Sequence, residues 1–404
     1  MDFSQVIQLE QYAKATQFNP ENNCLFTTGT HCLVSQGIKK RVTLPIGDTK
    51  DLVAAIDSHM HNEPDNTIAF AALPFCKTEH AQIIIPEQVS RWEKAVFSAW
   101  FDAELASNQG IPNSLLDITD LQPQAQFENA VSQAKQLFDT GLLNKIVLSK
   151  QTQLRFAEPI NSHIVLRNLL QQSQSGYHFS FPTTDNAILM GVSPELLLRK
   201  QAEKLTTNPL AGSIPRDTCP KEEAHRRSIL FASKKDRYEH AVVIEDIQQV
   251  LAPLCSALHI PAQPELLSTA TMWHLSTVIS GVLKESATHS LAIANQLHPT
   301  PALCGKPTVD AYPKIAELEQ QSRGLFSGII GWFDKHGNGE WVVVIRCAEL
   351  RDKTAKLFAG AGIVAASDPR SEWLETEAKL NTMLNALETK QAYYAMRNTS
   401  HEAN

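Results

Sequence analysis

The segment GLFSGIIGWFDKHGNGEWVVVIRCAELR, residues 324–351, sets two apolar runs on either side of a turn rich in Gly and Asn. That pattern predicts a β-hairpin. TIAFAALPF (67–75) and AQIIIP (81–86) read as further strands between polar turns, and AILMGVSPELLLRK (187–200) as a second hairpin bent around GVSPE. Helical segments alternate with them. PQAQFENAVSQAKQLFD (123–139) puts Phe127, Val131, Ala134 and Leu137 or Phe138 on one face, stops at Gly141 and leads into the strand KIVLSKQTQLRF (145–156). KEEAHRRSILFASKKDRYEHAVVIEDIQQVL (221–251) predicts a long helix. Strands that are neighbours by hairpins as well as by helices point to an α+β protein with large, mainly antiparallel sheets.

LFAGAGIVAASDPRSEWLETEAKL (357–380) places two glycines in an apolar run and follows them with a helix bearing carboxylates. Asp368 suits the cap and Pro369 the first turn. Glu372, Glu375 and Lys379 fall on one face at i, i+3 and i+7, with Trp373, Leu380, Leu384 and Leu387 on the other. Bare backbone beside a row of charges suggests a small, charged ligand. A β-bulge followed by a surface ion pair would give the same spacing.

The 404 residues suffice for one large domain or two ordinary ones. A composition 43% hydrophobic and 20% charged is that of a globular chain, and a net charge of −7 does not advertise nucleic acid or an anionic membrane. The seven cysteines are scattered without C-x-x-C spacing, which disfavours a zinc site or disulfide framework and fits a reducing cytoplasm. MDFSQVIQLEQY lacks the basic start and apolar core of a signal peptide, and no run reaches the roughly 18 apolar residues of a membrane span. The expectation is a cytoplasmic protein, and a monomer, since no apolar stripe is evident.

Eight motifs in order carry a family resemblance: KIVLSK (145–150), GVSPELLL (191–198), NPLAGSIPR (208–216), DRYEH (236–240), WHL (273–275), LHPTPALCGKP (297–307), GNGEWVVVIRCAEL (337–350) and LFAGAGIV (357–364). The chain resembles the chorismate-utilising enzymes over about its last two-thirds, and within them the isochorismate synthases that feed catecholate siderophore pathways through 2,3-dihydroxybenzoate. The resemblance implies a two-lobed α+β fold with β-sheets stacked in the middle and helices outside, a Mg2+ ion, chorismate as substrate and an isochorismatase downstream. It divides the chain into an N-terminal variable part (1–120), a chorismate-binding catalytic region (121–390) and a C-terminal tail (391–404). Salicylate synthase, a menaquinone-pathway isochorismate synthase and a non-catalytic binding subunit of the same fold are the alternatives.

Isochorismate formation adds water at C2 and expels the C4 hydroxyl, which requires a base, an acid and groups that hold two carboxylates. An amine serves as base only if its pKa is pulled down from about 10.4. By motif position the base is Lys145; by spacing alone it is a strand-end lysine in solvent. Glu195, followed by three leucines, is the acid that the resemblance assigns, and burial would raise its pKa as that task requires. The bland reading is a polar hairpin residue. Magnesium prefers hard oxygen ligands and keeps several waters. The resemblance supplies Glu239 and Glu375 for it, with Glu372 one turn earlier as a ligand, directly or through water. It also implies a substrate pocket of Gly212, Ser213, His274, Ala302, Arg346, Gly360, Gly362 and Lys379. Gly360 and Gly362 would let backbone N–H groups approach a carboxylate, and Arg346 would offer a fork-shaped donor. Ala211 lacks the amine that aminodeoxychorismate-forming relatives carry at this place.

Overall fold

The computed structural model describes residues 18–106, 113–173 and 175–402. Among these, the strands form two large sheets and one small one, and their pairings are antiparallel. The first sheet runs Gly305–Lys306, Lys145–Phe156, Thr354–Ile363, Cys347–Arg351, Ile188–Ser193, Tyr177–Pro182, Leu25–Thr27, His31–Gln36 and Gln88–Glu93, with Leu115–Asp120 also paired to Lys145–Phe156. The second runs Cys255–His259, Ile279–Leu283, Lys204–Asn208, Leu196–Gln201, Gly339–Val343, Ile329–Asp334, Ile68–Leu73, His80–Ile85 and Lys40–Pro45. Leu210–Pro215, Met272–Ser276 and Glu265–Ser268 make the third.

The two-residue period of a strand explains the stacking. Along Ile68–Leu73, Phe70 and Ala72 enter the core between the large sheets, while Ala69, Ala71 and Leu73 join Leu52, Ile56, Val243 and Leu291 from helices outside. Along Ile188–Ser193, Leu189 faces the other sheet, while Ile188, Met190 and Val192 meet Phe97, Val165 and Leu384 from the opposite helical layer. Both faces of these strands are therefore buried, so they read as unbroken apolar runs. The order helix, sheet, sheet, helix is the α+β arrangement expected. Among the described residues no helix is long and apolar enough to cross a membrane.

The 324–351 hairpin forms, with Ile329 opposite Val343 and the Asp334 carboxylate accepting from the N–H groups of His336 and Asn338. It ends sooner than expected: after Val343 the chain leaves the second sheet, and Cys347–Arg351 pairs in the first. The GVSPE segment departs from expectation in the same way. Ile188–Ser193 and Leu196–Gln201 are not hairpin partners but lie in different sheets, with Pro194 and Glu195 spanning the gap. The two crossovers run side by side, tied by Val343 N–H donating to the Glu195 carbonyl at 3.3 Å and Val192 N–H to the Arg346 carbonyl at 3.2 Å. Apolarity on both faces hides a change of sheet from the sequence pattern. The predicted helix over 221–251 is two, Pro220–Ala232 and Lys234–Leu251, broken at Ser233, whose hydroxyl caps the second by accepting from Asp236 N–H.

Strands from 1–120 lie in both large sheets, so that segment is structurally continuous with the rest. Residues 390–402 are helical, with Tyr393 fully buried and Arg397 clasping Asp120 at 2.5 and 2.6 Å.

Candidate active site

A cavity of about 230 Å³ opens where the sheets part beside the crossovers, a volume suited to a small metabolite rather than to the 300–1,000 Å³ of about drug-sized ligands. Glu195, Gly212, Ser213, Glu239, His274, Ala302, Arg346, Gly360, Gly362, Glu375 and Lys379 all line it. These residues come from seven of the eight motifs and from the helix that follows the last, and they converge on one space.

Lys145 lies just behind the wall, 2% exposed, with Nζ donating to Glu239 Oε1 at 2.7 Å. Its strand is fixed from beneath by a buried ion pair. Arg323 bonds Glu319 and also donates to the carbonyls of Leu303 (2.9 Å) and Val147 (2.7 Å), while Glu319 accepts from Ser149 N–H at 2.7 Å. One guanidinium thereby joins the Lys145 strand, the Ala302–Leu303 wall and the turn preceding Phe326.

Glu195, placed by the crossover, is 3% exposed. Burial pushes its carboxyl up to about 8, against smaller opposing effects of a backbone hydrogen bond at Leu210 and the Lys145 charge. It is therefore protonated at neutral pH. Arg346 occupies the other crossover at φ 51°, a left-handed backbone that a non-glycine residue adopts at some cost. Burial lowers its guanidinium to about 10, the Glu375 charge opposing, and Nη1 has no partner. An unpaired nitrogen of a buried cation at a cavity wall calls for an anion. His274 is held well below its ordinary range by burial, then by the Arg346 and Lys379 charges, so it is neutral, with Nε2 unpaired.

The helix Pro369–Ala386 begins as expected, Asp368 accepting from Ser371 N–H. Lys379 bonds Glu375 at 2.6 Å and the Gly360 carbonyl at 2.7 Å. Burial pushes the Glu375 carboxyl up, but the Lys379 charge and hydrogen bond, the Lys235 charge and the Ser213 hydroxyl outweigh it, and the net direction is down. Glu372 is not on the cavity wall. It faces Lys235 at 3.6 Å, 3% exposed, with Oε2 unpaired; burial and then the Glu375 charge raise its carboxyl.

The glycines act differently from one another. The strand Thr354–Ile363 pairs with Lys145–Phe156 in continuous register, without a bulge. A Cβ on Gly362 would stand 2.7 Å from Glu239 Oε1 and 3.2 Å from Lys145 Cε, so Gly362 makes room for that ion pair. A Cβ on Gly360 would meet its nearest atom at an ordinary 3.4 Å. Gly212, at φ 73° with Asp236 Cβ 2.8 Å from its would-be Cβ, requires glycine on both counts.

Sequence reasoning missed Lys235 and Asp236, which also line the cavity. Their spacing of four and three residues from Glu239 on a helix was the available signal. Lys150, five residues along the same strand from Lys145, lies away from the cavity: it is buried over the Trp373 ring at 3.6 Å and paired with Glu377.

Residues 59–388 match the family model described as chorismate binding enzyme. The chain belongs to the chorismate-binding enzyme family. It is 43% identical over 329 residues to the isochorismate synthase EntC of Escherichia coli strain K12, covering 79% of this chain and 81% of that protein. It is 40% identical over 326 residues to the isochorismate synthase DhbC of Bacillus subtilis strain 168, covering 79% and 80%. A crystal structure of a putative 2,3-dihydroxybenzoate-specific isochorismate synthase, DhbC, from Bacillus anthracis superposes with a TM-score of 0.83 at 35% identity, covering 92% of this chain and 98% of that one.

Proposed function

We propose that the protein is an isochorismate synthase, an isomerase that takes chorismate to isochorismate and supplies 2,3-dihydroxybenzoate for siderophore synthesis. The observation that supports this most is Glu195, a buried carboxylic acid protonated at neutral pH on a cavity that also presents the unpaired Arg346 guanidinium. Water oxygen bonds to C2 as its proton passes to Lys145, which acts in this step as the neutral amine and not as the ammonium of its ion pair with Glu239. The C1–C2 double-bond pair moves to C1–C6, and the C5–C6 pair to C4–C5. The C4–O bond breaks, and the departing oxygen takes the Glu195 proton and leaves as water. Returning the proton from Lys145 to Glu195 resets the enzyme. Arg346 and Lys379 bind substrate carboxylate, neutral His274 and Ser213 border the ring, and Ala302 leaves it space. The product passes to an isochorismatase.

Magnesium fits the donors present. They are carboxylate oxygens, and the buried Oε2 of Glu372 lacks a partner. No group of three or more His, Cys, Asp or Glu side chains is arranged for a metal among the described residues, so water and substrate oxygens would complete its shell. Glu239 and Glu375 would hold the ion, with Glu372 behind them, and when bound it supplies positive charge against a substrate carboxylate. Glu239→Gln and Glu375→Gln should each raise the magnesium concentration for half-maximal activity about tenfold or more, because each removes one anionic ligand from a site with few. An unchanged half-saturation point would remove that carboxylate from the site.

A further inference from the structure

Each carboxylate assigned to the metal is paired with a lysine: Glu239 with Lys145 at 2.7 Å, Glu375 with Lys379 at 2.6 Å and Glu372 with Lys235 at 3.6 Å. Lys145 and Lys379 have tasks in the reaction. Lys235 has none, and its position is otherwise unfavourable. It is the second residue of the helix Lys234–Leu251, where the positive end of the helix dipole repels a cation. What holds it there is the field of Glu372, 3.6 Å away across the gap between two helix N-termini, joined by the charges of Glu239, Glu375 and Asp236. Glu372 is buried, and its second oxygen has no partner, so it is short of positive charge even with Lys235 beside it. The Lys235 side chain is 40% exposed, at the mouth of the cavity, and can swing into water without unfolding anything.

We infer that Lys235 is a built-in counter-ion that stands in for the divalent cation and competes with it, setting the affinity of the metal site. The inference rests on the magnesium reading above. One positive charge close to the ligands opposes a cation's binding, and its removal should tighten binding about tenfold in partly solvated surroundings.

The experiment is calorimetric titration of Mg2+ into the full chain without chorismate, on the parent and on Lys235→Met, Lys235→Arg and Lys234→Met, each first checked by thermal melting. Lys235→Met should bind about tenfold tighter. Lys235→Arg, which keeps the charge, and Lys234→Met, which removes one from the exposed neighbour, should bind within about twofold of the parent. Equal or weaker binding by Lys235→Met overturns the inference, as does equal tightening by Lys234→Met, which would make the effect one of net charge. A parent that binds no Mg2+ overturns the magnesium reading itself, a result the variants do not produce when only the role of Lys235 is wrong.

Discussion

Replacing Glu195 by Gln keeps the shape of the side chain and removes its proton. Turnover should collapse, by about 10²-fold or more as for other general acids, yet the protein should become more stable above acidic pH. The sign follows from burial, which raises the folded carboxyl from 4.5 to about 8. Below 4.5 the group is protonated whether the chain is folded or unfolded. Between 4.5 and about 8 only the unfolded chain ionises, so stability falls as pH rises, and above about 8 the loss is complete. That span corresponds to roughly 5 kcal/mol at 1.36 kcal/mol per unit, and local relaxation reduces the measurable gap to roughly 3–5 kcal/mol. Urea unfolding of parent and Glu195→Gln at about pH 5 and about pH 9 should show the gap widen in favour of the variant. Parallel stabilities at both pH values would refute a buried protonated Glu195. So would a parent kcat/KM that stays level as pH rises through about 8.

Lys145→Gln should fold and lose turnover by about 10²-fold or more; steady-state rates within a few-fold of the parent would remove Lys145 from proton transfer. The two glycines of the 357–364 run should part company. Gly362→Ala places a methyl 2.7 Å from Glu239 Oε1 and should cost about tenfold or more in kcat/KM, since a misplacement near 1 Å suffices for about 10²-fold. Gly360→Ala, at 3.4 Å from its nearest neighbour, should stay within a few-fold, and equal losses in the two assays would contradict the reading of Gly362.

The layering of the fold was legible because strand and helix periods survive burial on one face. Phe127, Val131 and Ala134 did form one buried helix face, and the 329–343 hairpin did form. What was not legible is which sheet a strand joins. Leu189 and Leu196 are both buried between the sheets, so nothing in GVSPELLL marks the crossover that carries Glu195. The same holds for Arg346 in WVVVIRCAEL. Single residues were harder still. Glu239 and Glu375 look like ordinary charges on amphipathic helices, and only family position singled them out. Lys235 and Asp236 escaped because a helix N-terminus facing a cavity is a tertiary fact. Gly362 was marked by composition, but its reason, the Lys145–Glu239 pair on the adjoining strand and helix, joins residues 94 apart in sequence.

The most direct measurement is the product made from chorismate and Mg2+ at neutral pH, separated chromatographically while salicylate fluorescence and pyruvate are followed. The same Lys, Glu and metal carboxylates serve water addition and pyruvate elimination, so only the product distinguishes them. The expected result is isochorismate, accumulating to a fixed ratio with chorismate, with no pyruvate beyond unaided decay. Salicylate and pyruvate appearing in equal amounts, faster than isochorismate decays alone, would contradict it and make elimination part of the enzyme's own reaction.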